Sequence, residues 1–219
     1  MKIKVFFTNP TMEVPVNNQE QMNSYIHKCL GVNNPYHDSF SDYAISSLQG
    51  GKLKETGLSF NTCEPHLVVS SENMEFISDF MKGVQADTNT VFGMRFKRFE
   101  IDDFNVNPYF DKIITISPIL LKNKDNQKIT FEDPEWIERL NEQSKQKLKY
   151  KGIEDPTFRV ELRKPERGKK KLVWVGDVFN PASMVGLKVF GSKKARKTIY
   201  NLGFGNSTGC GFGSVKIYE

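Results

Sequence analysis

Cysteine and histidine are scarce in this chain of 219 residues, and long hydrophobic runs are missing. The three cysteines, Cys29, Cys63 and Cys210, lie far apart and form no CxxC pair, so the pattern predicts neither a disulfide framework nor a structural zinc site. No apolar stretch approaches the roughly 20 residues that a membrane-spanning helix needs. We therefore expect a protein of the reducing cytoplasm, without metal, cofactor or membrane contact.

Five glycines occur between residues 203 and 213, but their spacing does not match the common nucleotide-binding loops. A dinucleotide-binding GxGxxG motif needs another spacing and a following helix, and a P-loop needs a GKS or GKT tripeptide that the chain lacks. Two interpretations stay open: a flexible turn before an edge strand, or a backbone surface that a sugar-phosphate chain approaches closely. In the second, the binding residues are Gly203, Gly205, Ser207, Gly209, Gly211 and Gly213.

Positive charge is concentrated in the second half of the chain. Residues 1–115 contain 10 Lys+Arg and 14 Asp+Glu, whereas residues 116–219 contain 21 and 12. Such a cluster is either a solvated face or a surface that binds a polyanion, because grouped cations attract phosphates and release counterions. In the second hypothesis the phosphate-binding residues are Arg163, Lys164, Arg167, Lys169, Lys170, Lys171, Lys193, Lys194, Arg196 and Lys197.

The last four of these cations fall in the first turns of a helix that the pattern predicts over Ser192–Leu202. Cations at a helix N-terminus oppose the helix dipole, which is unfavourable when they are exposed. A phosphate bound there would meet both free N–H groups and cationic side chains. The alternative is that the lysines extend into water.

The same order of elements is predicted twice: strand, helix, strand, strand, helix, strand. In the first half the pattern indicates a helix over Glu72–Met81, capped by Ser71 and with Met74 in the core, and a strand over Thr90–Ile101. The fold class is therefore α+β, with two tandem ferredoxin-like (RRM-like) domains whose antiparallel sheets are backed by helices. We place the first domain at residues 1–110 and the second at residues 111–219.

In the second half the sequence predicts a strand over Lys112–Leu121, interrupted near Pro118 and therefore at an edge or broken. A helix over Pro134–Lys149 is expected to be capped by Asp133. Strands are expected over Phe158–Leu162 and Leu172–Phe179, joined by a basic hairpin.

Three segments, taken in order, resemble one family. GFGNSTGCGFGSVKI, preceded by LKVFGSKKARKTIYNLG, resembles the terminal glycine-rich signature of the RAMP superfamily. TISPILLK resembles the Ser-Pro strand that opens the second domain of the CRISPR-associated endoribonuclease family six, and PYHDSFSDYAISSLQGGK resembles its histidine-bearing segment. The chain is thus identified as similar to the prokaryotic enzymes that cut CRISPR repeat transcripts (pre-crRNA) into guide RNAs.

The resemblance implies cleavage without a metal: the ribose 2′-OH attacks the scissile phosphate and leaves a 2′,3′-cyclic phosphate and a 5′-OH. Histidine suits the base and the acid of such a reaction, and lysine suits stabilisation of the phosphorane. By resemblance His37 is the first catalytic candidate, Lys52 lies near the phosphate, and His27 stands where many members have a tyrosine. The implied partner is CRISPR repeat RNA, and a place in an interference complex or a homodimer stays open.

Other interpretations of these residues remain open. His37 could be a surface histidine, His27 could be a buried helix residue, and Lys52 could be an ordinary hairpin lysine. Phe204 and Phe212 could stack on bases or pack in a core. At the level of the whole chain, the alternatives are a catalytically inactive RAMP-type subunit that binds RNA and an RRM-like binder of unrelated RNA.

Overall fold

The computed structural model describes residues 1–31, 35–36, 41–102 and 111–218. The helices are α1 (Gln19–Leu30), α2 (Met74–Ala86), α3 (Trp136–Tyr150) and α4 (Lys193–Leu202). The strands are β1 (Lys2–Phe7), β2 (Tyr43–Ile45), β3 (Lys52–Leu53), β4 (Leu58–Ser59), β5 (His66–Ser71), β6 (Phe96–Asp102), β7 (Lys112–Thr115), β8 (Leu121–Lys122), β9 (Lys128–Ile129), β10 (Arg159–Arg163), β11 (Lys169–Val175), β12 (Val178–Met184), β13 (Gly186–Phe190) and β14 (Val215–Ile217).

The first sheet has the strand order β2-β5-β1-β6, and its neighbouring strands are antiparallel. Alternate residues of β1, Ile3, Val5 and Phe7, are fully buried and pack with the apolar faces of α1 and α2. The two helices approach each other closely at Gly83, where a Cβ atom would clash with the carbonyl oxygen of Cys29. Glycine at this position therefore lets α2 lie directly on α1.

The second sheet repeats this topology with the order β10-β13-β7-β14. Its core contains Trp136 and Leu140 of α3, Ile199 of α4, and Ile113 and Leu187 of the sheet, all fully buried. A central first strand flanked by the third and fourth strands is the ferredoxin-like arrangement, so the predicted α+β class with two such domains is confirmed. The predicted boundary after residue 110 adjoins residues 103–110, which lie outside the described residues, and it stays a prediction.

Of the strand predictions in the second half, one was confirmed in one of its alternatives and one was wrong. The segment Lys112–Leu121 breaks near Pro118, as one alternative predicted, and β7 lies inside the sheet between β13 and β14, so the other alternative, an edge strand, does not apply. The segment Leu172–Phe179 is not one strand, because the chain reverses at Gly176 and forms the separate hairpin β11–β12. Strand β13, which completes the second sheet, follows that hairpin and was not predicted.

Helices α2 and α3 also begin at later residues than the sequence predicted. Ser71 is the last residue of β5 and its hydroxyl donates to the carbonyl of Asp42, so Asn73 caps α2 instead and accepts hydrogen bonds from the N–H groups of Glu75 and Phe76. Met74 is 55% exposed rather than in the core. In the same way Asp133 precedes α3, and its carboxylate accepts from the N–H of Thr130.

In the predicted strand Thr90–Ile101, residues Val91–Gly93 form a 3-10 turn and strand β6 begins only at Phe96. Phe92 and Gly93 both have positive φ angles, so this part of the chain cannot continue an extended strand. The predicted strand is thus confirmed only in its second part.

Candidate active site

The three segments that carry the family resemblance meet at the junction of the two domains. The backbone N–H of Ser47 donates to the hydroxyl of the fully buried Ser117 at 2.8 Å. One residue on, the carbonyl of Pro118 accepts from the N–H of Gly213 at 2.9 Å. The side-chain amide of Gln49 also reaches the carbonyl of Ile116 at 3.0 Å. Segments distant in sequence are thus held in one hydrogen-bonded junction.

A cleft of about 230 Å³ opens at this junction. Its walls come from the start of α1, the segment after β2, the β3–β4 hairpin, the Ser-Pro segment and strand β11. Its lining residues include Asn17, Gln19, Ser47, Leu58, Pro118, Lys171, Leu172 and Gly211. The cleft thus brings a glycine of the terminal signature and one predicted phosphate-binding lysine against the first domain.

The glycine-rich segment is packed between the domains. Gly203, Gly205, Gly209, Gly211 and Gly213 are all buried, and Ser207 alone of the predicted residues in this segment is exposed. A Cβ on Gly203 would lie 2.9 Å from the Cβ of Ala44, and one on Gly211 would clash with the side chain of Gln19. Close approach between protein segments therefore accounts for these glycines, and their contact with RNA stays a prediction.

His27 lies on α1, the helix whose Gln19 and Asn23 contact the glycine-rich segment. Gln19, Asn23 and His27 are spaced four residues apart, so they follow one another along one side of the helix. The amide nitrogen of Gln19 donates to Asn23 at 2.9 Å, and the amide nitrogen of Asn23 is 3.5 Å from the carbonyl oxygen of Cys210. His27 is half-buried one helical turn further on, about 12 Å along the axis from Gln19.

The other two predicted catalytic residues have different settings. Lys52 is exposed on β3, in the small hairpin whose Leu58 lines the cleft. His37 lies outside the described residues, so its catalytic role stays a prediction. The preceding Tyr36 is described: its hydroxyl donates to Asp79 at 3.1 Å and its ring packs edge-on against Phe76. His66 has a structural setting, with its ring stacked on Phe6 and Nδ1 at 2.9 Å from the carbonyl of Glu64.

The predicted basic hairpin is in fact the end of β10, a 3-10 turn over Pro165–Arg167 and the start of β11. Arg163, Lys164 and Arg167 line a pocket of about 210 Å³ with Tyr218. The Arg163 guanidinium lies 3.8 Å from the centre of the Tyr218 ring, and its hydrogen bond to the phenol lowers the pKa of Tyr218. Lys164 has a φ of 51°, a strained conformation for a lysine. Lys169, Lys170 and Lys171 are exposed on β11, and Lys170 pairs with Glu132 at 3.6 Å.

The helix over Lys193–Leu202 forms as predicted, and Ser192 caps it by accepting from the N–H of Ala195. Lys193, Lys194 and Lys197 are exposed and Arg196 is half-buried. Sequence reasoning missed Asp155, whose carboxylate accepts from the Ser192 N–H at 2.6 Å. Hydrogen bonds from Thr157 and from the Ser192 N–H lower the pKa of Asp155 to about 2. The protein itself therefore places a negative charge at this helix N-terminus.

Two buried lysines were not predicted, because sequence reasoning treats a lysine as an exposed, solvated charge. Lys2 is 1% exposed; its ammonium donates to the carbonyl of Val215 at 2.7 Å and lies 3.6 Å from the centre of the Tyr200 ring. Lys147 is 5% exposed, and its ammonium donates to the carbonyl of Gly203 at 3.0 Å. Burial lowers the pKa of Lys147 to about 7. One lysine joins the domains and the other fixes the start of the glycine-rich segment.

Of the two alternatives left open for Phe204 and Phe212, packing in a core is the one that the structure shows. Phe204 is fully buried and Phe212 is 2% exposed, the latter against Leu120 and Ala182. Within residues 1–31, 35–36, 41–102 and 111–218, no group of three or more His, Cys, Asp or Glu side chains could hold a metal ion. The helices of the same ranges are too short or too polar to cross a bilayer.

Residues 105–217 match the family model described as CRISPR associated protein Cas6, C-terminal. This match covers more than half of the chain. The chain belongs to the Cas6 family. The resemblance carried by the three sequence segments is thereby confirmed, and the junction that these segments form is a feature of this Cas6 family member.

Individual relatives extend the likeness over both domains. The CRISPR-associated endoribonuclease Cas6 1 of Methanocaldococcus jannaschii is 28% identical over 228 residues, spanning 94% of this chain and 88% of the relative. A solved structure of a CRISPR associated protein Cas6 superposes with a TM-score of 0.84 at 24% identity, covering 100% of this chain and 99% of the other. A structure described as a RAMP protein binding different RNA substrates gives the same TM-score at 22% identity, with complete coverage of both chains. At these identities the structures show a shared fold.

Proposed function

We propose that this Cas6 family member is an endoribonuclease that cleaves CRISPR repeat transcripts without a metal. The ribose 2′-OH attacks the neighbouring phosphorus, the bond to the 5′-oxygen breaks, and the products carry a 2′,3′-cyclic phosphate and a 5′-OH. The observation that carries the proposal is the junction beside the cleft, where Ser47 is hydrogen-bonded to Ser117 and Gly213 is hydrogen-bonded to Pro118. A relative named as a CRISPR-associated endoribonuclease supports the reaction class, and a second relative is named as endoribonuclease-like.

The distribution of charge supports RNA as the substrate. Exposed cations of the second domain stand on β11 at the cleft and around the Tyr218 pocket, where their field attracts phosphates. RNA would therefore lie along the second domain, with its scissile phosphate between the first domain and the glycine-rich segment. Arg163, Lys164, Arg167, the β11 lysines and the cations of α4 are the proposed phosphate ligands.

Three side chains of the first domain are proposed for the chemistry. His37 is the first candidate for the general base or acid, because an imidazole with an ordinary pKa of about 6.5 can take or give a proton near neutral pH. His27 is the second candidate, since it lies one helical turn beyond Asn23, whose side-chain amide is 3.5 Å from the carbonyl of Cys210 in the glycine-rich segment. Lys52 would stabilise the charge that develops on the phosphorane.

The test is incubation of the host repeat transcript with the protein in EDTA, followed by mapping of both new ends. We expect one cut that leaves a cyclic phosphate and a 5′-OH, and no cut in a transcript whose scissile nucleotide carries 2′-deoxyribose. A strict requirement for magnesium or manganese would overturn the proposed mechanism. Tight binding without any cut would favour the alternative, a catalytically inactive RNA-binding subunit of an interference complex. Sedimentation of the free protein decides separately between a monomer and a homodimer.

A further inference from the structure

The outward face of the β11–β12 hairpin carries exposed apolar side chains. Trp174 is 44% exposed, and its cross-strand partner Phe179 is 40% exposed. The centres of their two rings lie 5.0 Å apart. Leu172, 54% exposed, is two residues from Trp174 and therefore on the same face of the strand. Exposed large aromatic residues grouped in this way mark a binding surface rather than a core.

The opposite face of the hairpin explains why these rings cannot turn inward. Val173 and Val175 of β11 pack with Ala182 against Phe212 of the glycine-rich segment. Because side chains alternate across a strand, this packing fixes Trp174 and Phe179 on the outer side. The hairpin is anchored and its aromatic face is presented to the outside.

Cations border the aromatic face. Lys170 is on the same side of β11 as Leu172, and the ammonium of Lys128 donates to the carbonyl of Phe179 at 2.6 Å. The nearby carboxylates are Glu132, 3.6 Å from Lys170, and Asp177 in the hairpin turn. Aromatic rings with cations beside them are the combination that binds single-stranded nucleic acid, because bases stack on the rings while the cations attract the phosphates.

The face also continues from the cleft. Leu172 lines the cleft together with Lys171, and Trp174 follows about 7 Å further along β11. An unpaired strand that leaves the cleft over Leu172 therefore reaches the two rings directly.

We propose that Trp174 and Phe179 form a stacking platform for unpaired nucleotides of the RNA that lie beside the cleft. This inference rests on the proposed function, since it names the part of the RNA that the hairpin recognises. The cationic border favours RNA over an apolar protein partner. Loss of one ring should weaken binding of single-stranded RNA about 5- to 100-fold.

The fluorescence of the protein offers a direct readout. The chain has two tryptophans, and Trp136 is fully buried, so quenching by an added oligonucleotide reports on Trp174. We would titrate the intact protein with a 12-nucleotide single-stranded RNA and with a blunt RNA duplex. We expect quenching by the single strand and little by the duplex.

Variants then separate stacking from folding. Trp174→Ala and Phe179→Ala should weaken single-strand binding and raise the KM for repeat cleavage with little change in kcat, whereas Trp174→Phe should retain most of the affinity. Tyr150→Ala is the matched control, because Tyr150 is 60% exposed on α3. Near-ultraviolet circular dichroism checks that each variant is folded.

Each outcome decides the inference. Unchanged RNA affinity in a folded Trp174→Ala variant that still cuts repeat RNA would overturn the platform and leave the proposed function intact. A dimer in sedimentation that Trp174→Ala dissociates would also overturn it, since a second copy would then cover the face. A wild-type protein that neither binds nor cuts repeat RNA would refute the proposed function and the platform together.

Discussion

Gly209 lies so close to Tyr43 that a Cβ atom on the glycine would be 2.8 Å from the ring carbon Cε2. One residue earlier, the hydroxyl of Thr208 donates to the backbone carbonyl of Tyr43 at 2.9 Å. The backbone of the glycine-rich segment in the second domain therefore packs against strand β2 of the first domain. Its glycines have a packing function in addition to any contact with RNA.

Substitution Gly209→Ala should lower the free energy of unfolding by about 1–3 kcal/mol, because the added methyl group overpacks the contact with Tyr43. Chemical denaturation measures this change. Ser207→Ala, at the exposed position of the same segment, is the control and should stay within about 0.5 kcal/mol of wild type. Equal stability of both variants would show that the domains do not depend on this contact.

The catalytic proposal predicts unequal effects of the three histidines. His37→Ala and His27→Ala should each slow single-turnover cleavage by roughly 10²–10⁴-fold if the side chain transfers a proton. His66→Ala is the control, since His66 is stacked on Phe6 and should alter stability rather than the chemical step. Full cleavage activity in His37→Ala would refute the assignment of His37 as acid or base.

Lys147 should make stability depend on pH in an unusual direction. Its pKa is about 7 in the folded protein and 10.5 is its ordinary value, so the unfolded chain binds more protons between these pH values. The free energy of unfolding of wild type should therefore rise between about pH 7 and pH 10 relative to that of Lys147→Met. Below pH 7 the variant should be the more stable protein, because the wild type then buries a charge.

Denaturant titrations of both proteins at several pH values test this prediction. The difference between the two free energies isolates Lys147 from the other titrating groups. A difference that does not change from pH 6 to pH 10 would show that the ammonium keeps its proton in the folded protein.

The pocket around Tyr218 should contribute to RNA binding through charge. Replacing Arg163, Lys164 or Arg167 by alanine should weaken binding of every RNA sequence alike. The slope of log affinity against log salt should fall by about 0.7–0.9 for each phosphate that the variant no longer neutralises. Lys82→Ala, on the exposed side of α2, is the control. Filter binding at several salt concentrations measures the slope, and an unchanged slope would remove this pocket from the RNA path.

Removal of the buried ammonium at the domain junction should be costly. Lys2→Ala should destabilise the protein by about 2–4 kcal/mol, because it opens a cavity beside Tyr200 and leaves the carbonyl of Val215 without this donor. Lys4→Ala, two residues along the same strand and only half-buried, should have a small effect. Similar melting temperatures for the two variants would contradict this prediction.

The order of the main helices and strands was predictable because each has a local signal in the sequence, such as a capping residue at a helix end. The helix over Lys193–Leu202 is set by Ser192 before it and Gly203 after it, and both act as the sequence indicates. Boundaries failed where a tertiary contact competes with the local pattern. Ser71 has the chemistry of a helix cap, but its pairing with Tyr43 keeps it in a strand, and Asn73 takes over the cap.

The hairpin β11–β12 shows a second limit. Its residues Leu172–Phe179 are apolar enough for one strand apart from Gly176-Asp177, and this two-residue turn signal was outweighed in the prediction by the apolar residues on both sides of it. The site was predictable only for residues whose type and neighbouring sequence indicate a chemical role. Lys2 and Lys147 differ from solvated lysines only in what surrounds them, and that surrounding is formed by elements distant in sequence.

The hydrogen bond between Lys2 and Val215 joins positions 213 residues apart. During synthesis on the ribosome, the first strand therefore emerges long before the strand that receives its ammonium. The early half of the polypeptide must hold this cation in water until β14 has been made and docks beside it. Docking of the two domains at this contact therefore follows the synthesis of β14. Any delay in making β14 would leave the first domain exposed to solvent at the surface where the glycine-rich segment later packs.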